Sequence, residues 1–342
     1  MSNKSKHFLF LLIPPVVVSV FSIIIAIVGN ENVLVDNIVN SFHVNFYFFI
    51  LLVISIVAFT SFHHLAKSKW IIPFENLRGN YFFFTIIMFC LFVPTIFGAY
   101  PANNNNSLTS ILSCKWFIVI STLFILVVTA MFLKNEKARS SFKSSLLVVS
   151  FFIGAFVLTL NGYVNPNPHF HSTLMFWFVI SGSLLSAIAV FTLLFIYKNS
   201  EVSINAKYYK DLGRYLFSFS CLWMYLWFSQ YLLIWYTNIP HESFYIRNQQ
   251  EFYPVLFYTN LILNSGIPFV LLISPQLKLN NKVLKIAAIS VLAGQFLNTW
   301  ILINSSNQQN YSSLVIALTL YIVTWLSFYY YSFKFRPHEK IS

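Results

Sequence analysis

The sequence predicts an all-α polytopic membrane protein of about ten transmembrane helices, and three observations carry that prediction. Apolar runs of about twenty residues recur from Phe8 to Phe333, each long enough to cross a hydrocarbon core of roughly 30 Å as a helix. Hydrophobic residues make up 58% of the chain and charged residues only 9%, against roughly 25% charged in a soluble domain. The net charge of +12 sits in alternate loops, which is the signature of membrane topology and argues against a nucleic-acid partner.

In chain order the expected spans are 8–28, 44–62, 81–99, 116–133, 144–163, 174–197, 215–236, 253–274, 283–303 and 311–333. The first follows Lys4 and Lys6, as a signal peptide would. It is too long for an h-region and has no small-x-small cleavage site, so it is expected to be a retained span. Of the 21 Lys and Arg, 19 fall on one side of this alternation, and only Lys115 and Arg247 fall on the other. The positive-inside rule makes the rich side cytoplasmic, puts both termini there and requires an even number of spans. The outer loops are then 29–43, 100–115, 164–173, 237–252 and 304–310, while the inner loop 198–214 divides six spans from four.

One stretch dominates the second half, Lys210–Tyr245, KDLGRYLFSFSCLWMYLWFSQYLLIWYTNIPHESFY. A charged lead-in (Asp211, Arg214) precedes an aromatic-rich run, and a Pro-containing exit follows (Asn238, Pro240, His241, Glu242). Within the run, Trp223, Trp227, Gln230 and Ile234 recur at i, i+4, i+7 and i+11, so one helix face carries two indoles and an amide.

Several chemistries are excluded by residue placement. All nine acidic residues lie in loops or at span ends, whereas an ion-coupled pump keeps an ionisable group within the membrane. The eight histidines are placed likewise, so no pair from facing helices offers axial ligands to a haem. Cys90, Cys114 and Cys221 form no CxxC or CxxCH, which leaves no disulfide framework, zinc site or covalent haem attachment. His169 and His171 form an isolated H-x-H in the Pro-rich outer loop, a spacing more common in surface pairs than in metal sites, so no metal is expected.

The interior polar residues are amides. Gln230 lies about 9 Å from the outer end of its span at 1.5 Å per residue. Asn260 and Asn264 (i, i+4) share a face of the next span, and Gln295 and Asn298 (i, i+3) a face of the one after. Five amides at similar depth on three consecutive helices admit two readings: helix glue worth about 1 kcal/mol per bond, or a polar pocket open to the outer side and walled by Trp223 and Trp227. Pro268, following Gly266, is expected to kink its span.

The residues of 210–245 resemble the signature of the F subunit of alternative complex III, a member of the NrfD/polysulfide-reductase anchor family. The family pattern has a His-Asp-Leu-Gly-Lys lead-in, a Phe-Ser-Gln-Tyr centre and an Ile-Trp-Tyr-x-Asn-Ile-Pro-Glu-Glu exit. Pro168, His169, Ser172 and Thr173 resemble a Pro-His-aromatic-x-Ser-Thr segment of the same family, and Asn264, Pro268, Phe269 and Ser274 its following span. The resemblance implies a ten-helix subunit of a bacterial inner-membrane complex. Its parts would be a first flanking span (1–29), a four-helix bundle (30–163), a second four-helix bundle (164–303) and a last span with a cytoplasmic tail (304–342).

It further implies partners that carry the electrons: multihaem cytochromes, an iron–sulfur protein, a paralogous membrane subunit and a terminal oxidase. The complex would oxidise menaquinol and reduce cytochrome c or the oxidase directly. This subunit would bind no covalent cofactor, only lipids and menaquinone, the latter in a pocket of Gln230, Asn260, Asn264, Gln295, Asn298, Trp223 and Trp227. His169, His171, His241, Glu242 and Arg247 would form its periplasmic contact. Three departures remove titratable groups from a proton path: His241 replaces an exit Glu, Lys210 a lead-in His, and Asn298 an acidic residue. Two other classes compete. A secondary transporter would show inverted repeats and short, broken spans at matching positions; only Gly266–Pro268 marks a break. A polytopic acyltransferase would need an acid–base site near a membrane face, for which His63 and His64 beside Lys67 are the nearest residues.

Overall fold

A computed structural model describes residues 33–68, 141–164, 172–198, 206–305 and 311–330. Among them there are helices and turns and no strand. The helices are α1 (Val33–Leu65), α2 (Ser141–Thr159), α3 (Met175–Lys198), α4 (Ala206–Thr237), α5 (Pro240–Phe252), α6 (Pro254–Leu261), α7 (Ile267–Leu272), α8 (Asn281–Asn304) and α9 (Tyr311–Tyr330). A π-helical turn, Leu160–Val164, extends α2, and a second, Ile262–Gly266, joins α6 to α7.

Among the described residues, seven segments are long and apolar enough to cross a membrane: Asn37–Leu65, Ser141–Val164, Met175–Tyr197, Lys207–Thr237, Pro254–Leu272, Asn281–Asn304 and Tyr311–Tyr329. They coincide with seven of the expected spans. The other three, 8–28, 81–99 and 116–133, lie outside the described residues.

The chain divides into two compact units, one of Met1–Val53, Asn76–Ala138 and Asn310–Glu339, the other of Ile54–Glu75, Arg139–Gln309 and Lys340–Ser342. In the first, α1 and α9 are held by a polar ladder. Asn37 Nδ2 donates to Ser312 Oγ (2.8 Å), Ser41 Oγ to the Ser313 carbonyl (2.8 Å) and Asn45 Nδ2 to the Ala317 carbonyl (3.1 Å). These donors recur every four residues and so share one face. Further along, the ladder gives way to Phe49 packed against Tyr321 and Trp325, with ring centroids 6.0 and 5.9 Å apart. The ladder explains why α1 already includes Asn37–Asn45 and does not begin near Val44. Hydropathy drops over Asn37–Asn45, yet Asn37, Ser41 and Asn45 each donate across to α9, and the helix continues.

In the second unit α3 and α8 are central: their membrane-length windows are 89% and 78% buried, against 22% for α4. At 32 residues, α4 is about 48 Å long, so the charged lead-in forms the first turns of the same helix. Its Asp211–Arg214 ion pair (3.1 Å) is exposed and contributes little to stability. Nearby, the His63 Nδ1–H donates to the Phe59 carbonyl (2.9 Å), which leaves Nε2 to accept from the Tyr215 hydroxyl (3.0 Å). His64 Nδ1 and Ser144 Oγ are 3.1 Å apart, with Ser144 fully buried. Both histidines tie helices together here, His63 joining α1 to α4 and His64 joining α1 to α2.

The end of α4 is punctuated by sequence. Asn238 has a left-handed φ of 46°, and its N–H donates to the Ile234 carbonyl (3.1 Å), which is a helix stop that Asn tolerates well. Pro240 then occupies the first turn of α5, where its missing N–H costs nothing. The segment 237–252, expected to be an outer loop, is therefore mostly helix. Tyr245, Asn248 and Gln249 are buried on one side of it, while Phe244, Arg247 and Glu251 face outward. Two donors fix α5 to the end of α8, Tyr245 Oη to the Leu302 carbonyl (3.2 Å) and Asn248 Nδ2 to the Ser305 carbonyl (3.4 Å). The last carbonyls of a helix have no intrahelical partner, so the docking of α5 satisfies groups that need it. Tyr253, fully buried between α5 and α6, packs edge-on against Trp300 at 4.9 Å.

The break before Pro268 is a π-turn. The Ile267 N–H reaches back five residues to the Ile262 carbonyl, and Pro268 opens α7 with no N–H to place. Proline and π-turns are the usual causes of a helix deflection.

Candidate functional site

Helices α6 and α8 bring three of the amides into one directed chain. Asn264 Nδ2 donates to Asn260 Oδ1 (2.6 Å) and to the Asn260 carbonyl (3.0 Å), while Asn260 Nδ2 donates to Asn298 Oδ1 (3.2 Å). All three side chains are buried, Asn264 completely. Local sequence explains the placement. The π-turn carries Asn264 onto α8, and Gly294 leaves room for it: a Cβ at position 294 would lie 2.7 Å from the Asn264 amide atoms.

A small cleft of about 30 Å³ opens at the α5 end of this chain, lined by Gln230, Trp227, Tyr231, Asn260, Asn298, Tyr245, Gln249, Phe178 and Phe257, among others. Gln230 Nε2 points to Met175 Sδ at 3.9 Å, a weak contact. Its Oε1 is buried with no hydrogen-bond partner among the described residues, as is Nε2 of Gln249. The indole of Trp227 stacks on Tyr231 (5.5 Å, 10° between planes) and packs against Phe257 at 5.7 Å. Burial pushes the Tyr245 phenol well above its ordinary range, so it lines the cleft as a neutral donor.

Gln295 and Trp223 stand apart from the cleft, on the side of α8 and α4 that meets α3. A Cβ on Gly182 would collide with Gln295 Oε1 and come within 3.3 Å of Trp223 Cδ1. Trp223, which is fully buried, tilts against Phe178 at 5.4 Å. Gln295 Nε2 and Trp223 Nε1 have no hydrogen-bond partner among the described residues. The five amides thus form two groups: Gln230, Asn260 and Asn298 lining the cleft with Asn264 bonded behind Asn260, and Gln295 against Gly182. Residues three apart on a helix differ by about 60° in direction, enough for Asn298 to meet α6 while Gln295 meets α3.

Of the residues expected at a periplasmic contact, His169 and His171 lie outside the described residues. His241 and Glu242 occupy the first turn of α5, and their side chains also lie outside the described set. Arg247 is exposed on the same helix. Tyr245 and Gln249 were not anticipated as cleft residues. Their signal was present in the proline at the start of α5 and the 245, 248, 249, 252 spacing of one helix face.

The chemistry of the cleft is that of neutral donors and acceptors with no charge among its lining residues. Its volume admits roughly one or two waters, whereas pockets for ring-sized ligands run to about 300–1,000 Å³. The amides offer donors and acceptors of the kind that a quinone's carbonyls could meet, in a cleft of about 30 Å³. Among the described residues no group of three or more His, Cys, Asp or Glu comes together as a metal site. No protein-family model matches the chain, and no curated protein matches it.

Proposed function

We propose that this chain is a cofactor-free, multi-pass subunit of a bacterial inner-membrane quinol:acceptor oxidoreductase of the alternative complex III type, with both termini cytoplasmic and about ten spans. In this reading it scaffolds partners that carry the redox centres: multihaem cytochromes, an iron–sulfur protein, a paralogous membrane subunit and a terminal oxidase. The cleft beside Gln230, at about 30 Å³, is assigned no quinone ring in this reading.

The observation that carries the reading is the stretch 210–245. The residues that resemble the family signature coincide with one structural device: a charged lead-in, a membrane-length helix, a stop at Asn238 and a restart at Pro240. In this reading α5, with Arg247 and Phe244 facing outward, offers the surface that partners would meet.

Purification of the tagged chain from its own membranes in mild detergent tests the proposal. Co-elution with a haem absorbance spectrum and with iron–sulfur and paralogous membrane subunits is the expected result. Recovery of a colourless single species would sink it. The break at Ile262–Gly266 favours a transporter as the second reading, because discontinuous helices line transport sites. Solute uptake by proteoliposomes holding only this chain would promote that reading.

A further inference from the structure

A second concavity lies away from the amide cleft. Between α4 and the α6–α7 segment runs an open, largely apolar groove of about 530 Å³. Its floor is made of small groups, Ser220, Cys221, Ser265 and Gly266, and its walls include Phe228 and Phe269. Both wall rings are about half exposed. From Ser220 to Phe228 the groove follows α4 for about 12 Å, close to the roughly 15 Å depth of one leaflet, half of a hydrocarbon core of about 30 Å.

One end of the groove leads to a cation. Phe269 stacks on Phe217 (5.6 Å, 29° between planes), and Lys278 Nζ sits 4.9 Å above the Phe217 ring. Lys278 can lie along α4 because Gly213 has no side chain: a Cβ there would be 3.0 Å from Lys278 Cβ and Cγ. Among the described residues no carboxylate pairs with Lys278; the nearby Asp211 is paired with Arg214. The arrangement is an apolar channel of acyl-chain length with a positioned ammonium where a phosphate would sit.

We infer that this groove binds an anionic phospholipid, with one acyl chain between α4 and α6–α7 and the phosphate against Lys278. Charge and lining point to this occupant. Lys278, with no paired carboxylate among the described residues, attracts an anionic headgroup at the membrane surface, and the largely apolar lining beyond it suits an acyl chain. The site belongs to the chain itself and does not depend on the complex proposed above.

The test uses the full-length chain in phosphatidylcholine nanodiscs doped with phosphatidylglycerol or phosphatidylcholine bearing an acyl-chain diazirine, with adducts mapped by mass spectrometry. Phosphatidylglycerol adducts are expected to concentrate on 220–228 and 265–270, about fivefold above phosphatidylcholine for one basic contact. Lys278→Gln should reduce phosphatidylglycerol to the phosphatidylcholine level. Ser265→Phe, which fills the floor, should remove groove adducts from both lipids while leaving those at the exposed Ile286 and Ile289 of α8 unchanged. Equal labelling by the two lipids in the wild type overturns the inference. So does labelling spread evenly over the outward faces, or a groove labelled only after a co-purifying helix has been stripped away.

Discussion

Asn264 lies so close to Gly294 that a Cβ at position 294 would be 2.7 Å from the carbon, nitrogen and oxygen of its amide. The amide cannot swing away without losing its two bonds to Asn260. One missing methyl on α8 therefore sets how closely the π-turn before α7 can approach, and with it the geometry of the whole amide chain.

Gly294→Ala is expected to destabilise the protein by about 1–3 kcal/mol, the usual cost of overpacking a tight interior. Adding Asn264→Ala should recover part of that loss, because contacting residues do not behave additively. Unfolding titrations of the two single variants and the double variant in detergent measure the coupling. Additive effects would show that the two positions do not touch.

A parallel pair lies on the neighbouring, α3-facing side of α8. Gly182→Ala should drive Gln295 off α3 and disturb Trp223, while Gln295→Ala should relieve the clash. The coupling is expected to exceed about 0.5 kcal/mol, above the usual error of additivity for distant sites. A thermal melt of each variant, followed by tryptophan fluorescence, provides the readout.

Asn238 holds a left-handed φ of 46° between α4 and α5. Asn238→Gly should be neutral or mildly stabilising. Asn238→Val should cost about 1–2 kcal/mol, because a β-branched side chain fits that conformation poorly. Equal stability for the two variants would rule out the helix stop.

Tyr245 gives a pH signature. Burial raises its folded-state pKa above the ordinary 10.0, so the folded state holds the phenolic proton more tightly than the unfolded chain does. Its contribution is complete below pH 10.0 and is lost as pH rises through that value toward the raised one. Tyr245→Phe, which also removes the bond to the Leu302 carbonyl, should cost about 1 kcal/mol at neutral pH. The gap between the two proteins should close in strongly alkaline buffer. A constant gap from neutral to alkaline pH would place the phenol in water and not under α5.

Much of this arrangement was legible in the residues. Helical spacing put Asn260 with Asn264 on one face, and residue depth put both level with Gln230 and Asn298. The deflection at Gly266–Pro268 was legible too, although its form as a π-turn was not, since that depends on where the Ile267 N–H finds an acceptor. The polar residues of α5 lower its hydropathy, so its sequence reads as a loop. Its Asn248 and Gln249 are nonetheless buried against the end of α8 and the cleft.

By itself, then, the sequence determined the all-helical class, seven of the membrane-length segments now seen, and the depth at which polar groups sit. These properties follow from length, hydropathy and helical period, all local to a segment. Only the tertiary structure decided which amides meet. It sent Asn298 to α6 and Gln295 to α3, used Gly182 and Gly294 as the points of close approach, and closed the cleft to about 30 Å³ with α5. Those outcomes depend on which helix faces pack together, and a side chain's period says where it points on its own helix but not what waits opposite it.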